Sequence, residues 1–210
     1  MIKGALSAAA LVVGLSFTPV AASAAPILGG ATAVDLTATS TFESLGYSLA
    51  TYGTASAFKL GNDIVATFLV TGGTRNDSTG ALLVNHNGSG LNFTSGSNTL
   101  SIGNFVVDTA NGVVRGSAAA NGFTLGTLSL FNLGANSTLT LTNEAAAAFT
   151  TTLGAPNLAG ADIGTAQVNV VFGPSGVPEP ATWGLMIAGV GFVGASLRRR
   201  LRATTDAAAA

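Results

Sequence analysis

Cysteine is absent from this 210-residue sequence, histidine occurs once, and charged residues are few. Without cysteine the chain forms no disulfide, and with His86 as its only histidine it lacks the ligands of a structural zinc site. Charged residues make up 8% of the sequence, against about 25% in an ordinary globular domain. The fold must therefore be stabilised mainly by a hydrophobic core, and a body of about 150 residues is large enough to form one.

The charges that are present do not form a basic surface. Residues 25–172 contain three basic and seven acidic residues, which gives a net charge of −4. Proteins that bind nucleic acid electrostatically carry clustered Lys and Arg, so we predict that this chain does not bind nucleic acid. The basic residues are Lys59, Arg75 and Arg115, and the acidic ones are Asp35, Glu43, Asp63, Asp77, Asp108, Glu144 and Asp162.

No catalytic constellation stands out in the sequence. The carboxylates are scattered rather than paired, and the nucleophile elbow G-x-S-x-G is absent. The polar stretch Asn76-Asp77-Ser78 lacks the regular acidic spacing of an EF-hand. His86 lies in Asn85-His86-Asn87-Gly88, a sequence that predicts a polar turn. We therefore predict a non-enzymatic protein with no catalytic residues, no metal and no cofactor.

The first 24 residues have the order of a secretory signal peptide. Lys3 is the lone charge before an apolar run of 13 residues from Ala5 to Phe17, which fits the expected apolar region of about 7–15 residues. Pro19 ends the run, and Ala22-Ser23-Ala24 supplies the small residues that signal peptidase requires. We predict export by the Sec machinery with cleavage after Ala24. The alternative is an uncleaved anchor, for which the run is short.

Residues 25–172 predict a mainly β extracytoplasmic domain. Thr, Val, Leu, Phe, Gly, Ser and Asn dominate it, a composition that favours strands joined by tight turns. Within 100–108, alternation predicts a shared face that includes Ile102, Asn104 and Val106. Many short strands at this spacing favour an antiparallel sandwich or barrel. The predicted strands are 32–39, 45–51, 56–60, 63–71, 80–84, 89–94, 100–108, 113–117, 123–131, 137–141 and 165–172. The predicted turns are 72–73, 76–78, 87–90, 111–112 and 121–122.

One segment departs from the β pattern. Residues 142–153, TNEAAAAFTTTL, predict one short helix. Thr142 can cap its first turn, and the carboxylate of Glu144 is favourable there. Gly154 and Pro156 end it. We expect this helix to cover one end of the sheet.

The C-terminal tail combines a linker, an apolar run and a basic cluster. Residues 173–180 include three prolines and predict a stiff, non-helical linker. Residues 181–197 carry no charge and predict a single transmembrane helix, but their length of about 25 Å is short for a hydrocarbon core of about 30 Å. The positive-inside rule places the basic tail, 198–210, in the cytoplasm. Its arginines are Arg198, Arg199, Arg200 and Arg202.

Three interpretations of the tail are open from its residues alone. It is a permanent anchor, or a helix that dimerises through its glycines, or a sorting signal that is removed by processing. Pro178-Glu179-Pro180, then Trp183, a glycine-rich apolar run and the arginines closely resemble the PEP-CTERM sorting signal. Gly184 stands where that variant usually has Ala, and the residues after Arg202 run slightly longer than usual.

The PEP-CTERM resemblance implies a partner and a destination. The partner is exosortase, a membrane-embedded enzyme of Gram-negative bacteria that resembles a cysteine transpeptidase, and Pro178-Glu179-Pro180 would be its recognition site. The chain would be an inner-membrane intermediate and then reach the cell envelope or the exopolysaccharide matrix, as in biofilms. The resemblance covers about 25 residues and assigns no activity to the body.

A second resemblance concerns the body. The stretch from Asn85 to Gly116 resembles exported HtaA-like β domains in its glycines and alternation. Because those domains include haem binders, the resemblance implies Tyr47, Tyr52 and His86 as candidate ligands. Our leading hypothesis remains a non-enzymatic structural or interaction role at the cell surface or in the matrix. The alternative is an exported module that binds a small ligand or a carbohydrate.

Overall fold

The computed structural model describes residues 24–174, 184–194 and Arg198. Within these residues the chain forms eleven strands and two α-helices that precede residue 174, and a further helix over residues 184–194. The strands are β1 (Ala24–Leu36), β2 (Ser48–Gly53), β3 (Ser56–Leu60), β4 (Asp63–Leu69), β5 (Gly72–Asn76), β6 (Leu82–Ser95), β7 (Asn98–Asp108), β8 (Val113–Ala120), β9 (Phe123–Leu133), β10 (Thr138–Leu141) and β11 (Asp162–Phe172). The helices are α1 (Thr39–Ser44) and α2 (Asn143–Leu153), and a 3₁₀ turn covers Ala135–Ser137.

Eight of the strands form a closed antiparallel ring. The order β1-β5-β6-β7-β8-β9-β10-β11 returns to β1, because β11 also pairs with β1. The mainly β prediction is therefore confirmed, and of the two predicted architectures the barrel describes the ring. Outside it, β4 pairs with β1, β3 pairs with β4, and β2 pairs with β6.

Two long strands each join two neighbours along the same edge. On β1, the segment from Ala24 to Ile27 pairs with β5, and the segment from Ala31 to Leu36 pairs with β4. On β6, the residues from Leu82 to Asn85 pair with β5, and those from Ser89 to Thr94 pair with β2. The ring is thus closed through short β5, and β2 and β4 continue the sheet beyond it.

The predicted turn at 87–90 is wrong, because these residues lie inside β6. They form a bulge, where the pairing with β7 shifts register between His86 and Gly90. Opposite this bulge, Asn104 interrupts the regular geometry of β7, because its φ is 50°. Its Oδ1 accepts a hydrogen bond from the Gly88 N–H at 2.8 Å. Glycine and asparagine mark bulges as well as turns, so the local signal did not separate the two. The predicted turn at Gly72-Gly73 is wrong in the same way, since it begins β5.

The bulge also corrects the predicted faces of β7. Alternation predicted a shared face for Ile102, Asn104 and Val106, but Ile102, Phe105 and Val107 are the buried residues. One residue inserted at Asn104 reverses the side of the sheet on which each later side chain lies. Phe105 and Val107 consequently face the barrel interior.

Helix α2 has the boundaries and caps that were predicted for it. The Thr142 Oγ1 accepts a hydrogen bond from the Ala145 N–H at 3.1 Å, and Gly154 ends the helix in the left-handed conformation with φ of 72°. Glu144 in the first turn accepts a hydrogen bond from the backbone N–H of Ser129 on β9. Helix α1 was not predicted, since six residues carry too little periodicity to be recognised.

Three phenylalanines join these helices to the sheet. The ring centroids of Phe42 on α1 and Phe149 on α2 lie 5.9 Å apart, and each ring contacts Phe93 on β6, at 5.2 and 4.8 Å. All three side chains are buried. Such edge-to-face and offset aromatic contacts are favourable beyond the area they bury, so this cluster holds both helices to the barrel.

Much of the two targeting segments lies outside the described residues. This holds for Ala22 of the predicted signal peptide, for the sorting residues Pro178, Glu179, Pro180 and Trp183, and for Arg199, Arg200 and Arg202. Ala24 begins β1, so the predicted cleavage site lies at the start of the first strand. Residues 184–194 form an exposed helix. Among the described helices, none has the length and hydropathy that a membrane span requires.

Candidate functional site

The barrel encloses a cavity of about 560 Å³. Every strand of the ring except β5 contributes to its lining. On β1, the buried side chains of Thr32, Val34 and Leu36 all point inward, as expected when alternate residues of a strand share a face. Most of the remaining wall is apolar, and Phe68, Phe105 and Phe131 supply its aromatic rings.

The lining of the cavity includes one buried polar pair. The Thr32 Oγ1 lies 2.7 Å from His86 Nε2, and the side chains are 3% and 1% exposed. His86 Nδ1 lies 3.3 Å from the carbonyl oxygen of Phe105. A carbonyl oxygen only accepts, so Nδ1 carries the proton, and the Thr32 hydroxyl donates to Nε2. His86 is therefore a neutral, fully hydrogen-bonded residue of β6, and the prediction of a polar turn residue is wrong.

Burial lowers the pKa of His86 below its ordinary value of 6.5, although the hydrogen bond to Phe105 partly opposes this shift. The unfolded chain then binds more protons than the folded chain once the pH falls below 6.5. We expect the free energy of unfolding to be constant for this group above 6.5 and to decrease below it, with a limiting slope of about 1.4 kcal/mol per pH unit. The decrease should level off at the lower pKa of the folded state.

Urea unfolding between about pH 7.5 and pH 5 measures this contribution. His86→Gln should abolish that part of the slope, whatever it does to absolute stability. Asp108 makes a suitable comparison, because hydrogen bonds from Asn111 and Ala110 lower its pKa below 3.8. Ionised Asp108 therefore makes its full contribution to the free energy of unfolding above pH 3.8 and loses it only at lower pH. Identical slopes for wild type and His86→Gln would contradict the assignment.

The Thr32–His86 pair has two parts of an acyl-transfer site and lacks the others. A nucleophile and base are usually accompanied by a group that orients the base and by N–H donors aimed at the developing oxyanion. Here the group that orients the His86 ring is the backbone carbonyl of Phe105. The N–H groups of paired strands lie in the plane of the sheet, directed at the neighbouring strand rather than into the barrel. The geometry thus favours a structural pair.

The mouth of the cavity is polar and uncharged. Thr109, Asn136 and Ser137 line it, and all three are exposed. Asn136 and Ser137 have φ values of 56° and 60°, a left-handed backbone that costs energy in residues other than glycine. This site was not predicted, because neither Thr32 nor the segment 136–137 belongs to a sequence motif.

Two of the candidate haem ligands lie elsewhere in the domain. Tyr47 borders a separate cavity of about 270 Å³ beside α1. The ring of Tyr52 lies over β6 and β7, where a side chain at Gly90 or Gly103 would overlap it. Burial raises the pKa of both tyrosines, which disfavours the phenolate form that would ligate iron.

The third candidate, His86, has no free ring nitrogen for a metal. The three residues therefore do not fit a haem site. Among the described residues, no three side chains of the His, Cys, Asp or Glu type come together to hold a metal ion. The acidic turns have local structural roles instead. Asn76 Oδ1, for example, accepts hydrogen bonds from the N–H groups of Ser78 and Thr79, which confirms the turn predicted there.

Among solved structures, the fold is similar to the crystal structure of the C-terminal domain of HtaA from Corynebacterium glutamicum. The TM-score is 0.51 and the sequence identity 13%, over 71% of this chain and 99% of that one. This likeness concerns the fold alone, and it agrees with the resemblance noted for Asn85 to Gly116. No curated protein matches the chain.

The comparison with protein families concerns the tail. Residues 176–200 match the PEP-CTERM protein-sorting motif, which begins two residues beyond the last described residue of the barrel, Pro174. The resemblance identified from Pro178-Glu179-Pro180 and the arginines is thereby confirmed. Such a motif is a sorting signal for exosortase. The chain therefore carries a PEP-CTERM sorting signal, which indicates an exported protein that is processed at the membrane.

Proposed function

We propose that this protein is delivered by exosortase-dependent sorting to the cell envelope or the exopolysaccharide matrix, where its barrel acts without catalysis as a structural or interaction module. The match at residues 176–200 carries the proposal. Transit begins with Sec export and an inner-membrane intermediate. In the inner-membrane intermediate, the eight residues of the linker, 173–180, extend at most about 29 Å. The barrel therefore stays close to the membrane until the tail is processed.

An exposed edge strand supports the interaction role. Among the described strands β3 pairs only with β4, so its other edge keeps free backbone donors and acceptors. Phe58 and Leu60 on β3 are 58% and 62% exposed. An open edge with apolar side chains is the kind of surface that pairs with another chain. Lys59, between them, is bound to Glu43 by an exposed salt bridge.

The carbohydrate-binding alternative gains no support from the aromatic residues. Within residues 24–174 the exposed phenylalanines are Phe58, Phe123 and Phe172, which lie on β3, β9 and β11, strands that do not pair with one another. None of them lines the cavities described above, and the Phe172 ring is covered by the Arg75 guanidinium at 4.5 Å. The small-ligand alternative is favoured by a specific observation, the apolar cavity of the barrel.

Complementation of a strain that lacks the gene tests the proposed role. The wild-type protein should restore matrix cohesion, and Thr32→Val should restore it equally, because no step depends on the Thr32–His86 pair. Phe58→Lys combined with Leu60→Lys should reduce retention of the protein in the matrix severalfold, since charged edges resist pairing.

The matched control places the same charges next to the edge. Thr54 and Asn62 are exposed and lie in the turns before and after β3, and Thr54→Lys with Asn62→Lys should leave retention near the wild-type level. If Thr32→Val is stable and exported but inactive, a catalytic role replaces the proposed one. If all variants are retained alike, β3 is not the interacting edge.

A further inference from the structure

We infer that the barrel interior binds one uncharged, mainly aliphatic molecule, such as a fatty alcohol or a monoacylglycerol, with its apolar chain inward and its neutral polar end at the mouth. The inference is independent of the surface role proposed above, because only the interior of the barrel carries it.

The size of the cavity suits one small ligand. Eight-stranded barrels are near the limit at which side chains fill the interior, and some hold a single small molecule there. Here the ring leaves about 560 Å³ unfilled, within the range of about 300–1,000 Å³ that is typical of ligand sites. A well-packed core would contain few voids larger than a water molecule.

The wall of the cavity selects for an aliphatic chain. Val34, Phe68, Val107, Phe131 and Leu139 are buried and face the space. Transfer of a hydrocarbon chain from water to such a surface is favourable in proportion to the area it buries. Water at the same place would meet few polar partners, and a stable buried water needs two or more of them.

The buried polar pair of the lining tolerates an apolar group next to it. Thr32 and His86 are the buried polar side chains of the lining, and they satisfy each other and the Phe105 carbonyl. An apolar group against them therefore leaves no hydrogen-bond donor without a partner. A ligand therefore needs no polar atom beside Thr32 and His86, and an aliphatic chain can pass or end there.

The composition of the cavity lining favours an uncharged ligand. No Asp, Glu, Lys or Arg is among the described residues that line the cavity. A carboxylate or ammonium group would lose its hydration there without gaining a counter-ion, which is costly. A neutral hydroxyl or ester can instead exchange hydrogen bonds with Thr109, Asn136 and Ser137 at the mouth. Strained backbone of the kind found at Asn136 and Ser137 is frequent where ligands are held.

Methyl NMR of the full chain in lipid nanodiscs tests the inference, with dodecanol and dodecanoate as probes of equal chain length. Dodecanol should shift the methyl signals of Val107, Val114 and Leu139 saturably. Leu125 and Val171, which are exposed, should report only partition into the lipid and should not shift in parallel. Dodecanoate should bind at least about tenfold more weakly, because its charge must be desolvated.

Three variants make the result specific. Ala166→Phe fills the cavity and should abolish the saturable shifts, whereas Asn169→Phe, on the exposed face of the same strand, should preserve them. Ser137→Lys adds a cation at the mouth, at an exposed position that lines the cavity. It should raise the affinity for dodecanoate about tenfold and leave that for dodecanol nearly unchanged.

The inference is overturned if dodecanol shifts the inward and outward methyl groups alike, or if wild type binds dodecanoate as tightly as dodecanol. Retention of wild-type affinity by a folded Ala166→Phe protein would overturn it as well. Should Ala166→Phe fail to fold, the Ser137→Lys variant decides the matter by itself, because unchanged selectivity between dodecanol and dodecanoate would place the probes outside the cavity.

Discussion

Replacement of Pro178, Glu179 and Pro180 by alanine should leave the protein at full length in the inner membrane of a host that contains exosortase. The wild-type protein in that host should lose the segment from about Ala181 onward and appear outside the inner membrane. The apolar run and the arginines are intact in the variant, so signals for membrane insertion and topology do not change. Only recognition by the processing enzyme is removed.

Fractionation and intact-mass analysis of both proteins measure this effect. A matched control carries three alanine replacements in the same linker, at Pro174, Ser175 and Gly176, and keeps the sorting residues. It should be processed like the wild type. A permanent anchor makes a different prediction, because its membrane insertion does not depend on the linker. If wild type and variant both keep Arg198 to Arg202 and fractionate alike, the tail is a plain anchor.

Phe149→Ala should destabilise the barrel by about 3–5 kcal/mol. Phe149 is 1% exposed, and its ring contacts both Phe42 and Phe93. The truncation leaves a cavity where α1, α2 and β6 meet, and the neighbouring rings can fill it only in part. Since domains of this size are stable by about 5–15 kcal/mol, the loss is a large part of the total.

Urea unfolding of residues 25–172, expressed without the tail, measures the loss as a lower midpoint at an unchanged slope. We expect this domain to be β-rich and to unfold cooperatively, and reductant should have no effect because the chain has no cysteine. Phe123→Ala is the control. Its ring is 78% exposed, so the change should lie within about 0.5 kcal/mol. A loss below about 1 kcal/mol for Phe149→Ala would show that the cluster does not hold the helices.

Elements governed by local interactions could be predicted from the sequence. Helix α2 begins after Thr142 because that hydroxyl caps it, and it ends at Gly154 because glycine adopts the left-handed conformation. The turn at Asn111-Gly112 joins β7 to β8 as its dipeptide predicted. In each case the deciding contact joins residues within four positions of each other, so a short window of sequence contains it.

Elements that depend on distant partners were predicted poorly. The strand predicted at 32–39 is the second half of β1, which begins at Ala24 because residues 24–27 pair with β5. The glycines at 88 and 90 and the pair at 72–73 are also typical of turns. Their inclusion in β6 and β5 is decided by pairing with β7, β2 and β1, and no local feature encodes those neighbours.

The sorting signal could be identified without any structure. The signal consists of consecutive segments: Pro178-Glu179-Pro180, then the apolar run, then the arginines. The membrane and exosortase can recognise these segments without contacts from the folded domain. The interior of the barrel, in contrast, depends on contacts between residues that are distant in the sequence. Thr32 and His86 are 54 positions apart in the sequence, and they meet because β11 and β5 close the ring through β1. The cavity beside them exists for the same reason, since an enclosed volume is a property of the closed sheet and of none of its strands.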